Sequence, residues 1–347
     1  MHMTKRVSLK TWISIVTFVL VAVIVYASRH ELLKAWQLLG TVNIWILLLL
    51  LPLQALSYYA AGATVFSYLR EKFALKVPRA ESAKIALELN FVNHILPSAG
   101  VSGASYMTWR LGQLGISPAR ATLAQVVRFA ATFGAYLVLM LVAVVAITLD
   151  VGLERIPILV SSGLASAIII GSMLTIYIIQ SPARLHKAAA LITKYGNKMW
   201  RKILRRKKPL LHEETVNKYF EDLHEDYKQI AKDPWILKKP FLWGLVFIVS
   251  EISLFWVTFW ALGTPINPAP LLIAYGLAGF AGAFFFTPGG VGGYEALMVG
   301  FLATTGIDQG AVIAAVLLSR AVLIILTIVT GYYFYQRALN RYGNDTN

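Results

Sequence analysis

A chain of 347 residues that is 57% apolar, only 14% charged and free of cysteine lies outside soluble globular proteins, whose charged fraction is about 25%. Its 32 basic residues exceed its 17 acidic ones for a net charge of +15, and the bases flank apolar runs, which points to anionic lipid and not to nucleic acid. The lack of cysteine excludes disulfides, thiolate-bound zinc and a cysteine nucleophile, the six histidines show no metal-ligand spacing, and no cofactor is expected.

A membrane-crossing helix needs about 20 apolar residues, because it rises ~1.5 Å per residue across ~30 Å of hydrocarbon. Six runs meet this need, near residues 11–27, 43–69, 119–148, 157–180, 240–262 and 308–336. The first follows Lys5, Arg6 and Lys10, but no small-residue cleavage site succeeds it, so it reads as a mature transmembrane helix and not a signal peptide. Beyond it, Leu32, Leu33, Trp36 and Leu39 form a stripe that suits an interfacial helix. Regions 79–114 and 268–305 are apolar but interrupted by Pro plus Gly, and read as broken hairpins that return to the side they entered from. The arm from 101 to 114 is too short to span.

Positive charge marks cytoplasmic loops. A walk from the basic N-terminus puts Arg70, Lys72, Lys76, Arg79, Arg110, Arg120, the segment 182–239, Arg337 and Arg341 inside, with Asp150, Glu154, Arg155 and Asp308 outside. Both termini are then cytoplasmic, in the cell membrane. Between Ser181 and Lys239 stand 15 basic and 7 acidic residues, with Arg201, Lys202, Arg205, Arg206, Lys207 and Lys208 at the centre. Leu185, Ala188, Ala189, Ile192, Tyr195 and Met199 recur there at helical spacing, as on a helix lying against anionic headgroups; a solvated run that only fixes topology reads equally well.

The two broken hairpins match each other. From Pro97 the chain reads PSAGVSGASYMTWRLGQLGIS, and from Pro288 it reads PGGVGGYEALMVGFLATTGID. Gly-Ile-Ser/Asp follows 18 residues after each proline, Arg128 lies 31 residues after the first and Arg320 lies 32 after the second. Ser117 and Asp308 are N-cap types for the long helix that follows. The expected fold is therefore all-α: a polytopic membrane protein with six long transmembrane helices and two Pro/Gly-broken hairpins, arranged as an inverted repeat. Its segments are an N-terminal helix pair (1–42), repeat one (43–148), a further span (149–180), the basic loop (181–239), repeat two (240–336) and a tail (337–347). In transport folds of this kind the breaks meet near the bilayer midplane and offer helix N-termini to an anionic ligand.

Pro288, Gly289, Gly290, Gly292, Gly293 and Glu295 follow Phe286 almost directly, so the motif sits at or in the membrane. Its glycines permit a tight turn and close approach of a ligand, and Glu295 falls in the first turn of the next half-helix, where it could equally be a cap. A nucleotide loop is excluded, because no Gly-Lys-Ser/Thr follows. Ionisable residues within spans cost roughly 2.5–3.5 kcal/mol at the helix centre, so Arg128, Glu251, Glu295 and Arg320 need partners. Arg320 is expected to pair with Glu295 or Glu251, and Arg128 to face the first break. Glu88 is expected to pair with Lys84 one turn earlier. Asn90, Asn93, His94, Pro97 and Ser98 surround the first break, Ser102 and Ser105 follow it, and Gln54, Ser57, Tyr58 and Tyr59 put a polar stripe on the second span.

The Pro-Gly-Gly-x-Gly-x-x-Glu-Ala pattern from Pro288 to Ala296, with the Asn93-x-x-x-Pro97 break and the basic insertion, resembles the lysylphosphatidylglycerol synthetase/flippase transmembrane domain. The resemblance covers nearly the whole chain. It implies a flippase-like membrane unit without the acyltransferase domain that makes lysyl-phosphatidylglycerol in full-length members, and it carries over Pro288, Gly289, Gly290, Gly292 and Glu295 as the central motif. Many stand-alone relatives have Gly-Gly-Asp after the first proline, where this chain has Ser102-Gly103-Ala104; the missing acid bears against a cationic-headgroup contact and a polyprenyl-linked sugar there. The expected function is ATP-independent movement of a phospholipid between leaflets. Arg128 and Arg320 would neutralise phosphate, and Glu295, with Glu251, would meet a cationic headgroup or carry a coupling proton. Rival expectations are phosphatidylglycerol lysyltransferase, a small-solute transporter, and a scaffold that recruits a separate lipid-modifying synthase.

Overall fold

The computed structural model describes residues 29–38, 40–95, 101–149, 155–204, 213–282 and 292–343, with Val19, Ala22, Val23 and Tyr26. Every regular element among them is helical: α1 (Arg29–Leu38), α2 (Ile44–Leu47), α3 (Leu50–Phe73), α4 (Arg79–Ile95), α5 (Val101–Gly112), α6 (Pro118–Leu149), α7 (Arg155–Ile179), α8 (Pro182–Leu204), α9 (Glu213–Lys232), α10 (Lys238–Ala261), α11 (Pro268–Gly282), α12 (Gly293–Ala303) and α13 (Gln309–Tyr342). Five stretches are long and apolar enough to cross a membrane: Ile44–Phe73, Pro118–Thr148, Pro157–Ile179, Pro234–Ala261 and Gln309–Tyr342. They coincide with five of the six expected runs. The sixth, 11–27, lies almost wholly outside the described residues, as do Pro97, Ser98, Pro288, Gly289 and Gly290 at the two breaks.

The two matching hairpins are terminated and restarted in the same way. After α5 and after α12 the chain turns on a glycine with positive φ, +78° at Gly115 and +76° at Gly306, a conformation that costs glycine little because it has no Cβ. The next long helix is then capped from its side chain. The Asp308 carboxylate accepts the Ala311 N–H at 2.8 Å, and the Ser117 hydroxyl accepts the Arg120 N–H at a longer 3.4 Å. Asp and Ser suit this position because their short oxygens reach donors the first helical turn leaves unpaired.

Packing interleaves the two units. Helix α3 lies along α10 at the centre, α4 packs on α13, and α11 packs on α6. Each unit thus lends the first arm of its broken hairpin to the long helix of the other. Small residues allow the close approaches, as expected where lipid removes the hydrophobic drive between helices. A Cβ on Gly331 would meet the Phe91 Cβ at 2.4 Å and the Leu87 carbonyl oxygen at 3.0 Å. Gly331→Ala is therefore expected to force α13 off α4 and cost about 1–3 kcal/mol, read as a lowered thermal midpoint of the detergent-solubilised protein.

The basic segment folds as a helical pair, α8 on α9, with α9 docked on α6 and α7. His224 Nδ1 lies 2.8 Å from the Ile179 carbonyl oxygen, and Arg120 Nε lies 3.8 Å from Asp226. Burial pushes the Asp226 carboxyl above the usual carboxylate range, opposed by the nearby Arg120 and Lys72 charges. Of the apolar stripe on α8, Leu185 and Ala189 are buried within the protein while Tyr195 is exposed, because α8 has helical neighbours on that side. The polybasic run is helical through Arg201 and Lys202, and Arg205 to Lys208 lie outside the described residues.

Candidate functional site

A cavity of about 280 Å³ lies between the two units, lined from α3, α4, α6, α10, α11, α12 and α13. One water requires only ~10–15 Å³. Its polar lining gathers Gln54 and Tyr58 from α3, Asn90, Asn93 and His94 from α4, Arg128 from α6, Glu251 from α10, and Arg320 and Thr327 from α13. Residues more than 200 positions apart meet here because α3 and α10 share one interface while α4 and α13 share another. Eight residues singled out in the sequence face this one space: Asn93, Arg128, Glu251 and Arg320, with Gln54, Tyr58, Asn90 and His94.

The second break supplies a closed ion pair. Arg320 Nε donates to Glu295 Oε1 at 2.6 Å, and its guanidinium lies 4.6 Å from the centre of the Tyr294 ring. The other carboxylate oxygen, Oε2, accepts the Gly292 N–H at 2.7 Å. Gly292 has φ +90°, so it makes the turn that aims its N–H at the first helical turn. Glu295 is thus both a helix cap and the counter-ion of Arg320, the first of the two partners expected for that arginine. In effect a carboxylate already occupies the position that an incoming anion would take at the α12 N-terminus.

The first break is built differently. Seven residues after Pro288 stands Glu295, whereas seven after Pro97 stands Ala104. The Ala104 carbonyl accepts from Gln125 Nε2 at 3.0 Å, so α5 meets α6 one turn before Arg128. Arg128 Nε is buried with no hydrogen-bond partner among the described residues, and the guanidinium lies 4.7 Å from the Phe129 ring centre. The two arginines that follow the matching stretches therefore differ: Arg320 is paired with Glu295, and Arg128 has no carboxylate in salt-bridge contact among the described residues. Asn93 packs directly on Gly103, where a Cβ would come within 1.7 Å of Asn93 Oδ1; glycine at 103 is what lets Asn93 reach the cavity.

Glu251 takes neither arginine. Its carboxylate accepts the Ser57 hydroxyl and, at 3.2 Å, the Tyr275 hydroxyl. Tyr58 shares a 2.6 Å hydrogen bond with Thr327 across α3 and α13. His94 Nδ1 is 2.9 Å from the Asn90 carbonyl oxygen. Ser102 begins α5 outside the described lining, and Tyr59 instead packs edge-on against Trp243, ring centres 5.3 Å apart.

The Glu88 expectation is corrected. Lys84 lies 3.6 Å from Glu81, while Glu88 accepts from Arg110 Nε at 3.0 Å and from the Tyr106 hydroxyl at 2.9 Å. Glu88 and Arg110 are both buried; a buried carboxylate needs a desolvated partner, and the adjoining α5 supplies one where the exposed Lys84 does not. Three polar lining residues were not anticipated: Thr327, Tyr275 and Tyr294. Thr327 lies seven residues after Arg320, on the same helix face, and that spacing was a usable signal. Tyr294 adjoins Glu295 in the motif, whereas nothing local marks Tyr275.

A polar cavity lined by spanning helices, with Tyr294 from the end of the glycine motif in its wall, agrees with the outcome of comparison with known families. The family model described as the lysylphosphatidylglycerol synthase TM region matches residues 11–331. The chain belongs to this family. A search of curated proteins finds no match. Membership in the lysylphosphatidylglycerol synthase TM-region family, with five stretches able to cross a bilayer, makes this a multi-pass membrane protein with a lipid-related role.

Proposed function

We propose that the protein is a lipid translocase that moves an anionic or aminoacylated phospholipid, such as lysyl-phosphatidylglycerol, between leaflets of the cell membrane without ATP. The observation that carries this reading is Arg128: a half-buried cation among membrane-crossing helices, lining a cavity of about 280 Å³, with a buried Nε that has no hydrogen-bond partner and no carboxylate in salt-bridge contact among the described residues. An intramembrane arginine is costly, and a lipid phosphate is the counter-ion that a bilayer offers. Glu295 already neutralises Arg320, so the phosphate belongs at the Arg128 side. Glu251, Asn90 and Asn93 line the same cavity and suit the hydroxyls or amine of the headgroup.

The interleaved packing, the paired glycine turns and the paired caps support an inverted repeat, and the distribution of basic residues between loops supports cytoplasmic termini. Rocking of one unit against the other would then expose the cavity to each leaflet in turn. For a lipid of net charge +1, outward movement against an inside-negative potential costs ~2.3 kcal/mol per 100 mV. The polybasic segment would hold the cytoplasmic face against anionic headgroups, at about 1 kcal/mol per base near the surface.

Ala104→Glu restores in repeat one the acid that repeat two carries. The new carboxylate is expected to pair with Arg128 and lower lipid exchange at least tenfold without loss of folded protein. The decisive assay is leaflet exchange of headgroup-labelled phosphatidylglycerol and lysyl-phosphatidylglycerol in proteoliposomes. Folded wild-type protein that exchanges neither lipid, with or without a pH gradient, overturns the translocase reading in favour of a scaffold or a small-solute carrier.

A further inference from the structure

Besides the polar cavity, an apolar groove of about 360 Å³ runs between α3, α4 and α13, and the two spaces share Gln54 and Tyr58. We infer that this groove holds one acyl chain of the lipid whose phosphate sits at Arg128. The inference rests on the translocase reading only in taking Arg128 as the headgroup anchor.

Three helices carry the continuity. On α3, Leu51, Gln54, Ala55 and Tyr58 follow at intervals of three and four residues, which is one stripe of a helix. Its outer end is apolar and open, with Leu51 48% exposed, whereas Gln54 and Tyr58 at the inner end are buried. On α4, Leu87 lines the groove while Ala86 and Asn90 line the cavity; on α13, Leu326 lines the groove and Thr327 the cavity. Apart from Gln54, Thr330 and the two tyrosines the groove wall is aliphatic, whereas the cavity adds Asn90, Asn93, Arg128 and Glu251, and the two spaces meet where the Tyr58 hydroxyl bonds to Thr327 at 2.6 Å. This is the division of an amphiphile: a phosphate-bearing head inward, a hydrocarbon tail outward to the lipid-facing surface. A small soluble anion would use the cavity and leave the groove without purpose.

The test uses full-length protein in liposomes containing a phosphatidylglycerol with a diazirine on one acyl chain, and maps photolabelled residues by mass spectrometry. Labelling at Leu51, Leu87 and Leu326 is expected to exceed that at Leu141 and Val142, which are 67% and 60% exposed on α6, by at least tenfold. Arg128→Ala should remove the excess, and Ala55→Trp, which plugs the groove, should remove it at Leu326 with Arg128 intact. Equal labelling of groove and outer face overturns the inference. An excess that survives Arg128→Ala also overturns it, since the chain would then belong to bulk lipid. Arg128-dependent labelling in a protein that exchanges no lipid keeps the groove and removes the translocase reading, so the two failures are separable.

Discussion

Arg128→Ala is expected to abolish lipid exchange while making the protein more stable. The guanidinium is held at the edge of an intramembrane cavity and, among the described residues, has no carboxylate partner and a buried, unpaired Nε. Such a group costs roughly 2.5–3.5 kcal/mol at the centre of a span, a cost that cavity water relieves only in part. Its removal should therefore raise stability by about 1–2 kcal/mol, seen as a higher thermal midpoint in detergent, while exchange falls at least tenfold. Opposite signs for stability and activity mark a residue retained for ligand binding. Arg128→Lys, which keeps the charge but loses the planar fork that grips phosphate, should recover part of the exchange. If exchange in the alanine variant equals wild type, the phosphate does not sit there.

The equivalent substitution in the other repeat should behave in the reverse sense. Arg320→Ala strands Glu295, and Glu295→Ala strands Arg320, in a site where their side chains are 7% and 8% exposed. Breaking a buried pair costs about 3–5 kcal/mol because a charge is left uncompensated, and Glu295→Ala also removes the cap on the Gly292 N–H. Each single variant should lower the thermal midpoint markedly. The double variant Glu295→Gln with Arg320→Gln should recover most of the loss, because no net charge remains buried. Midpoint shifts that add independently across Glu295→Gln, Arg320→Gln and their double variant would show that the 2.6 Å contact contributes no coupling. Together the two experiments ask whether one internal repeat carries a structural ion pair and the other a ligand site.

That division also separates what can be read along the chain from what cannot. Membrane crossing was legible in composition and run length, since a bilayer imposes one length on every crossing helix, and five of the six expected runs stand as spans. The caps at Ser117 and Asp308 were legible too, and the Gly-Ile-Ser/Asp match that carries them falls on the turns at Gly115 and Gly306. Turn and cap chemistry depends on one residue and its nearest neighbours. The family was legible in the glycine motif, for the same local reason. By contrast, the sequence left Arg320 a choice between Glu295 and Glu251, and assigned Glu88 to Lys84 by helical spacing. Those outcomes were decided by which helices pack together: α4 against α5 delivers Arg110 to Glu88, and α3 against α10 delivers Ser57 to Glu251. The same holds for the arginine at the proposed site. Arg128 and Ala104 are both plain in the sequence, yet only the meeting of α4, α6 and α13 around one cavity leaves that arginine with no carboxylate in salt-bridge contact among the described residues, because a buried charge is satisfied by what surrounds it in space and not by what precedes it in the chain.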